Sequence, residues 1–167
     1  MLVYHPAFDL SHGMFRMLRL LEANPERQMK WDTFRILDLY YLFPHLLEAA
    51  RLPRNMTKRK RDFGKLGSKY TRVPTPRMFI QQLRGIHESV ARSLAAKGFI
   101  EPAEFDEGVL VRTERAIPPE VLRMFADDID DAPLVHMLAV EMAAIPLSGG
   151  DGLKDRTGLL EFRYDAV

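Results

Sequence analysis

Cysteine is absent from the 167-residue chain. Its absence excludes disulfide bonds, thiolate metal ligands and a cysteine nucleophile, and it is consistent with a cytoplasmic protein. Long apolar runs are also absent, because no stretch approaches the roughly 20 residues that a bilayer-spanning helix needs. The opening stretch MLVYHPAFDL lacks the basic flank and the apolar run of a signal peptide. We therefore expect a cytoplasmic protein.

Excess charge of one sign is missing too, since the net charge is +1. The total charge therefore does not predict a nucleic-acid-binding protein, and a charged ligand would have to meet a local cluster. Hydrophobic residues make up 47% of the chain and charged residues 28%, which is typical of a globular domain. The length suits one domain with a sizeable core or two very small ones, and we expect a single domain over residues 1–167.

Recognisable catalytic motifs are lacking. The histidines form no HExxH pair and no close spacing with carboxylates that would bind a metal ion. The glycines of DFGKLGSK do not have the spacing of a Walker phosphate-binding loop. We expect no catalytic residue, no cofactor and no metal ion, and so no enzyme. The histidines, expected to be structural or solvated, are His5, His12, His45, His87 and His136.

Apolar residues at helical spacing predict a first helix. The stripe runs over Leu10–Leu21, and Asp9 or Ser11 can cap the helix. The dipeptide Asn24-Pro25 should end it, because the residue before a proline disfavours the helical conformation.

A second helix is predicted over Phe34–Leu47. This segment is apolar nearly all round, which is typical of a helix at the buried centre of a fold. Asp32 can cap the helix, and Pro44 inside it should kink or split it.

The stretch Phe79–Arg112 predicts one amphipathic helix up to Lys97, a glycine stop and a short β-ribbon. Its apolar residues recur at spacings of four, three, four and four, and Gly98 stands where a left-handed residue commonly ends a helix. The ribbon consists of Phe99-Ile100, a turn at Asp106–Gly108, and Val109–Val111. Helix, strand, turn and strand are the outline of the last helix and wing of a winged helix.

The predicted fold class is therefore mainly α (α+β). A winged-helix-like unit covers about residues 8–112, and a helical C-terminal part covers about residues 117–167. Prolines indicate two helices in the second part, Pro119–Asp128 and Pro133–Ile145. The acidic run Asp127–Asp131 suits a solvated helix end or a partner-facing patch, and Leu159–Tyr164 suits a last strand or an ordered tail.

The segment Arg51–Arg72 holds nine Lys or Arg residues and one Asp, and it predicts an exposed loop. Dense Lys and Arg can neutralise nucleic-acid phosphates, while Phe63 and Tyr70 can add stacking. A solvated loop and a contact with an acidic protein surface remain open as alternatives. The candidate residues for contact with DNA or a partner are Arg54, Lys58, Arg59, Lys60, Arg61, Lys65, Lys69 and Arg72.

Three segments are similar to a known family. They are YHPAFDLSHGMFRMLRLLE (Tyr4–Glu22), FRILDLYYLFPHLL (Phe34–Leu47) and PTPRMFIQQL (Pro74–Leu83). Together they resemble the middle component of bacterial ABC-three-component systems, which include the Lamassu type of anti-phage and anti-plasmid defence. The quoted segments lie in the N-terminal half, and beyond them the resemblance concerns length and outline.

The resemblance implies a non-catalytic bridging or regulatory subunit. Such a subunit links an SMC/Rad50-like ABC ATPase to an effector, often a nuclease. The family implies no catalytic residue, and it provides no motif for the basic segment. We expect no membrane partner, since the chain has no long apolar run. A DNA contact within the complex is left open.

A winged-helix DNA-binding regulator is the alternative. It requires an exposed basic face on the helix Phe79–Lys97, which offers Arg84, Arg92 and Lys97 with Glu88 opposed. Because most of the positive charge precedes that helix, we expect the helix and ribbon to present surfaces to proteins. Any DNA contact is better sought at Arg51–Arg72.

Overall fold

The computed structural model of the protein describes residues 5–66, 73 and 75–161. Helix accounts for 66% of the structure, which confirms the mainly helical prediction. The α-helices are α1 (Leu10–Ala23), α2 (Trp31–Leu42), α3 (Thr57–Gly64), α4 (Pro76–Gln82), α5 (Arg84–Ala96), α6 (Pro102–Asp106), α7 (Pro119–Asp127), α8 (Ala132–His136) and α9 (Leu153–Thr157). Short 3-10 helices cover Pro6–Phe8, Pro44–Ala49, Arg54–Met56 and Ile129–Asp131, and a π-helix covers Met137–Met142. Strands β1 (Gln28–Lys30) and β2 (Val109–Val111) pair with each other.

Helix α1 follows its sequence prediction. The Asp9 side chain accepts a hydrogen bond of 2.9 Å from the backbone N–H of His12, which satisfies one of the unpaired donors at the helix start. Asn24 is the C-cap residue, in extended conformation before Pro25.

Helix α2 is the buried centre of the fold, as predicted. Its buried residues run from Thr33 to Tyr40. The helix ends before Pro44, where the chain continues as a 3-10 helix, so the proline splits the segment. The expected Asp32 cap is wrong: Lys30 is the N-cap residue, and Asp32 lies in the first turn. A carboxylate there still favours the helix, because the N-terminal end carries partial positive charge.

The single helix predicted from Phe79 is divided. Helices α4 and α5 meet at Leu83, which is the C-cap residue of the first and the N-cap residue of the second. The apolar spacing continues across the junction, so the pattern does not reveal the break. Gly98 ends the segment with a φ of +80°, as the glycine stop predicted.

The predicted β-ribbon is only partly present. The first arm is reduced to an isolated bridge between Ile100 and Arg112, and α6 occupies the chain between that bridge and the turn, which lies at Glu107-Gly108 within the predicted range. Strand β2 instead has its ladder with β1, antiparallel, with Met29 opposite Leu110. The winged-helix assignment is therefore not confirmed. Sequence reasoning missed β1, because a strand of three residues in a polar link is too short to show alternation.

The basic segment is not a loop throughout, which corrects the prediction for Arg51–Arg72. The 3-10 turn Arg54–Met56 leads directly into α3. Residues 67–72 of the segment lie outside the described residues. Met56 and Phe63 are buried and seven residues apart, so two helical turns place both on the core side. Sequence reasoning missed this helix because only two apolar residues, among many charged ones, show the helical spacing.

The C-terminal helices lie close to their predicted positions. Helix α7 matches Pro119–Asp128 to within one residue, and α8 continues into the π-helix in place of one regular helix. Helix α9 was not predicted. Of the expected tail, Leu159 and Leu160 are buried, and residues 162–164 lie outside the described residues.

Helices α1 and α5 pack closely against each other in the core. A Cβ added to Gly13 would lie 2.6 Å from Cγ2 of Val90, well inside van der Waals contact. Glycine is therefore required here by the approach of the two helices, even though it lowers helix propensity.

We expect Gly13→Ala to lower the free energy of unfolding by up to about 2 kcal/mol. Overpacking costs about 1–3 kcal/mol, and better helix propensity offsets about 1 kcal/mol of it. Val90 cannot yield easily, because a β-branched side chain is restricted at χ1. Urea denaturation would measure the change. In a Val90→Ala background the clash disappears, so Gly13→Ala should then stabilise, and the same loss in both backgrounds would contradict the contact.

Candidate functional site

Helix α3 carries four of the eight predicted contact residues, and its inner face is fixed to the fold. Met56 and Phe63 pack in the core cluster, and α3 lies against the 3-10 helix Pro44–Ala49. A Cβ added to Gly64 would lie 3.3 Å from Cβ of Glu48, so the glycine allows this close approach. The helix is thus a fixed element with one side turned outward.

Two of the predicted residues are engaged within the protein. Arg59 forms a two-pronged ion pair with Glu141, and these hydrogen bonds lower the pKa of Glu141. Lys60 Nζ donates a hydrogen bond of 2.5 Å to the backbone oxygen of Ala50. These two cations fasten the flanks of α3 to neighbouring segments.

Four other predicted residues form what we call the basic stripe. Its members are Arg54, Lys58, Arg61 and Lys65, all exposed. Their spacing of four, three and four places them on one side of the helical segment, opposite Met56 and Phe63. Among the described residues, none of the four side chains has an ion pair or hydrogen bond. The remaining two predicted residues, Lys69 and Arg72, lie outside the described residues.

A buried ion network joins α1, α2 and α5. Arg16 donates from Nε to Oδ1 of Asp38 at 2.6 Å and from Nη2 to Oδ2 at 3.2 Å. His87 Nε2 lies 2.9 Å from Oδ2 and donates to it, because an ionised carboxylate can only accept. Burial by itself would raise the pKa of Asp38, but the charge of Arg16 and the hydrogen bond from His87 outweigh it and lower that pKa to about 2. The network is buried and tightly satisfied around the carboxylate, so we interpret it as structural.

The lowered pKa of Asp38 makes part of the stability depend on pH. The pKa of Asp38 is lowered from its ordinary value of 3.8 to about 2 in the folded protein. Its contribution to stability is therefore fully present above pH 3.8 and is lost as the pH falls towards 2. The shift corresponds to about 2 kcal/mol. A carboxyl carbon NMR titration should show no inflection for Asp38 near its ordinary value. An inflection there would contradict the ionised pair.

Arg19 fastens α7 to α1. Its guanidinium donates to Oδ2 of Asp128 at 2.7 Å, to the Tyr41 hydroxyl at 2.8 Å, and to the backbone oxygens of Phe125 at 3.3 Å and Asp128 at 2.8 Å. It also lies 5.9 Å from the ring centroid of Phe15 and 6.0 Å from that of Phe125. The acidic run is therefore not simply solvated, since Asp128 binds a buried arginine.

An apolar groove lies between α1, the end of α5 and α7. Its volume is about 280 Å³, and we call it the α1–α7 groove. Met124 on its wall is 54% exposed, and the exposed Lys97 lies at its rim. Methionine and aromatic side chains adapt to the shape of a partner. The lining residues are Ser11, Met14, Phe15, Leu18, Leu94, Lys97, Phe99, Pro118, Val121 and Met124.

Metal-ligating side chains are not clustered in the described residues. These residues contain no group of three or more His, Cys, Asp or Glu side chains able to hold a metal. A cleft of about 570 Å³ lies beside β1, and its lining includes Glu26 and Lys30, both exposed to solvent. None of the described helices is long and apolar enough to cross a bilayer.

The basic residues that a winged-helix DNA-binding regulator would use lie on α5 or at its C-cap. Arg84 forms an ion pair of 3.1 Å with Glu88 on the next turn, while Arg92 and Lys97 are exposed. Helix α5 therefore offers a weaker basic face than α3 does. The cations of the basic stripe all lie on one side of the α3 segment, and α5 adds none to that side.

Comparison with known families adds the identity. A family model described as ABC-three component (ABC-3C) system Middle Component 5 matches residues 2–165. No curated protein and no solved structure matches the chain. The match extends past the three similar segments through α5, α7 and α9, and it does not separate the Lamassu type from other systems. The chain therefore belongs to the Middle Component 5 family of ABC-three component systems.

Proposed function

We propose that the protein is a non-catalytic bridging subunit of a Lamassu-type defence complex in the cytoplasm. It links an SMC/Rad50-like ABC ATPase to an effector nuclease. The observation that carries this proposal is the family match over residues 2–165, since the family is a middle component of ABC-three-component defence systems. A subunit with this role needs surfaces for other proteins and no catalytic centre of its own.

A winged-helix-like arrangement over about residues 8–112 is part of the proposal. The chain order α1, β1, α2, α5, Ile100 and β2 supports it, with β2 between β1 on one side and the Ile100 bridge on the other. The C-terminal helices pack against α1 and α2 through α8 and the π-helix. This packing supports a single domain over residues 1–167.

The α1–α7 groove is the surface that we assign to a partner protein. Its occupant is an amphipathic helix of the ATPase or the effector, with an apolar face towards Met14 and Met124 and an acidic residue opposite Lys97. Charge complementarity at the rim supports this occupant, because Lys97 is exposed beside an otherwise almost wholly apolar lining. Helix-in-groove recognition places such apolar side chains at helical spacing.

Co-purification of the three gene products tests the bridging function. With a tag on the ATPase, this protein and the effector should both be recovered, and the effector should be lost when this protein is omitted. Recovery of the ATPase and effector together without this protein would overturn the proposal.

Substitution in the groove tests the assigned surface. Met124→Glu should reduce recovery of at least one partner by tenfold or more, because it places a charge in the apolar contact. Met78→Glu is the matched control, since Met78 is 62% exposed and lies on α4, away from the groove. Equal recovery with both variants would exclude the groove as the contact.

A further inference from the structure

The basic stripe is the strongest unpaired charge feature of the described residues. Helical geometry explains why four cations of the segment are free and two are not. Arg59 and Lys60 flank the buried side formed by Met56 and Phe63, and both find acceptors there. The stripe occupies the opposite side, where packing provides no acceptor.

The length of the stripe suits contact with several phosphates of one DNA strand. Consecutive members are three or four residues apart, which is about 5–6 Å along a helix, and the whole stripe is about 16 Å long. A DNA duplex carries one phosphate per about 3.4 Å of axis on each strand, so about five phosphates of one strand lie within that length. The cations are spaced more widely than these phosphates, but the stripe is long enough for each of its four long side chains to reach one phosphate of the strand.

The surroundings of the stripe suit phosphates better than an acidic protein. Protein interfaces have apolar and aromatic side chains at their centre and few lysines. Within α3 the exposed side has no large apolar residue. Asp62 is the single acidic residue of α3 and stands beside the stripe rather than within it. Leu66, which is 62% exposed, follows Lys65 at one end of the stripe, but the charge array has no apolar anchor at its centre, where a protein contact of useful affinity would need one.

We propose that the basic stripe binds the sugar-phosphate backbone of duplex DNA without reading its sequence. The members of the stripe are long cations on a fixed helix, which suits phosphate contacts that position a protein on DNA. Binding through Arg54, Lys58, Arg61 and Lys65 leaves the α1–α7 groove open. The contact does not depend on the bridging function, because the isolated chain carries all of it.

Fluorescence anisotropy with the full chain and a labelled 24-bp duplex tests the proposal. Binding at 50 mM salt should weaken by roughly 150-fold at 200 mM, since four phosphate contacts give a slope of about −3.6 in a plot of log affinity against log salt. Two duplexes of unrelated sequence should bind equally. Absence of binding at 50 mM salt would overturn the proposal, as would a strong preference for one sequence.

A pair of charge-matched variants locates the contact. The triple variant Lys58→Gln, Arg61→Gln, Lys65→Gln should bind at least tenfold more weakly and reduce the salt slope by about 3. The control Arg84→Gln, Arg92→Gln, Arg123→Gln removes the same charge from exposed positions of α5 and α7 and should bind within threefold of the unmodified chain. Equal losses in both would show that overall charge, and not the stripe, attracts DNA.

Two further measurements keep the result interpretable. The urea midpoint of the stripe variant should equal that of the unmodified chain, because the substituted side chains are exposed and unpaired. A labelled glutamate-rich peptide replaces the duplex in a parallel titration. Tighter binding of that peptide than of DNA at the same salt would overturn the assignment in favour of an acidic protein partner.

Discussion

Asp38→Asn is expected to lower the free energy of unfolding by about 3–5 kcal/mol, because removing one partner of a buried ion pair leaves the other charge uncompensated. Asp38 is 0% exposed and Arg16 is 5% exposed, so water cannot replace the lost carboxylate. The amide also directs N–H donors at a site where Arg16 and His87 already donate. Urea denaturation at neutral pH would measure the loss.

Asp130→Asn provides the matched control. Asp130 is exposed, and the same chemical change there should alter stability by less than about 0.5 kcal/mol. A double variant, Arg16→Met with Asp38→Leu, removes both charges and should recover part of the loss, because apolar side chains of similar volume can replace a buried ion pair while His87 Nε2 still lacks its acceptor. If Asp38→Asn costs no more than the control, the network does not hold the three helices together.

The elements that sequence reasoning predicted correctly are those that local physics determines. In α1, the apolar spacing, the Asp9 cap and the Asn24-Pro25 stop all lie within one short segment. The central position of α2 follows from an apolar surface too large to leave in water. Neither prediction needed to know which segments pack together.

The partners in the buried network could not be predicted from local pattern. Asp38 is the single charged residue between Arg35 and Glu48 in the sequence, but Arg16 is 22 residues away and His87 is 49 residues away. Only the packing of α1, α2 and α5 brings the three side chains together. The same limit applies to β1, whose pairing with β2 depends on a distant part of the chain.

The candidate surfaces divide in a similar way. The charge of the basic segment was visible in the sequence, and its helical form was not, because the two buried residues that fix α3 are surrounded by breakers and cations. Once α3 forms, the spacing of the charges separates Arg59 and Lys60 from the stripe. The α1–α7 groove has residues from α1, α5 and α7, so no single segment could have indicated it.

Arg19→Met is expected to lower the free energy of unfolding by about 2–3 kcal/mol, since charge-assisted hydrogen bonds to buried groups contribute about 1.5–3 kcal/mol. The variant leaves the Tyr41 hydroxyl and two backbone oxygens of the α7 end without their donor. Asp128 loses its ion pair but is partly exposed and can be solvated, so the cost stays below that expected for Asp38. Hydrogen exchange should show the largest loss of protection in α7.

Arg19→Lys and Arg123→Met separate the causes of that loss. A lysine ammonium can reach one or two of the acceptors but cannot match the planar fork of the guanidinium, so Arg19→Lys should recover less than half of the stability. Arg123 is exposed on α7, and its replacement by Met should change stability by less than about 0.5 kcal/mol. Because Arg19 positions α7 without lining the α1–α7 groove, Arg19→Met should also reduce partner recovery in co-purification. If hydrogen exchange shows that α7 is loosened and partner recovery is unchanged, the partner does not bind in the α1–α7 groove.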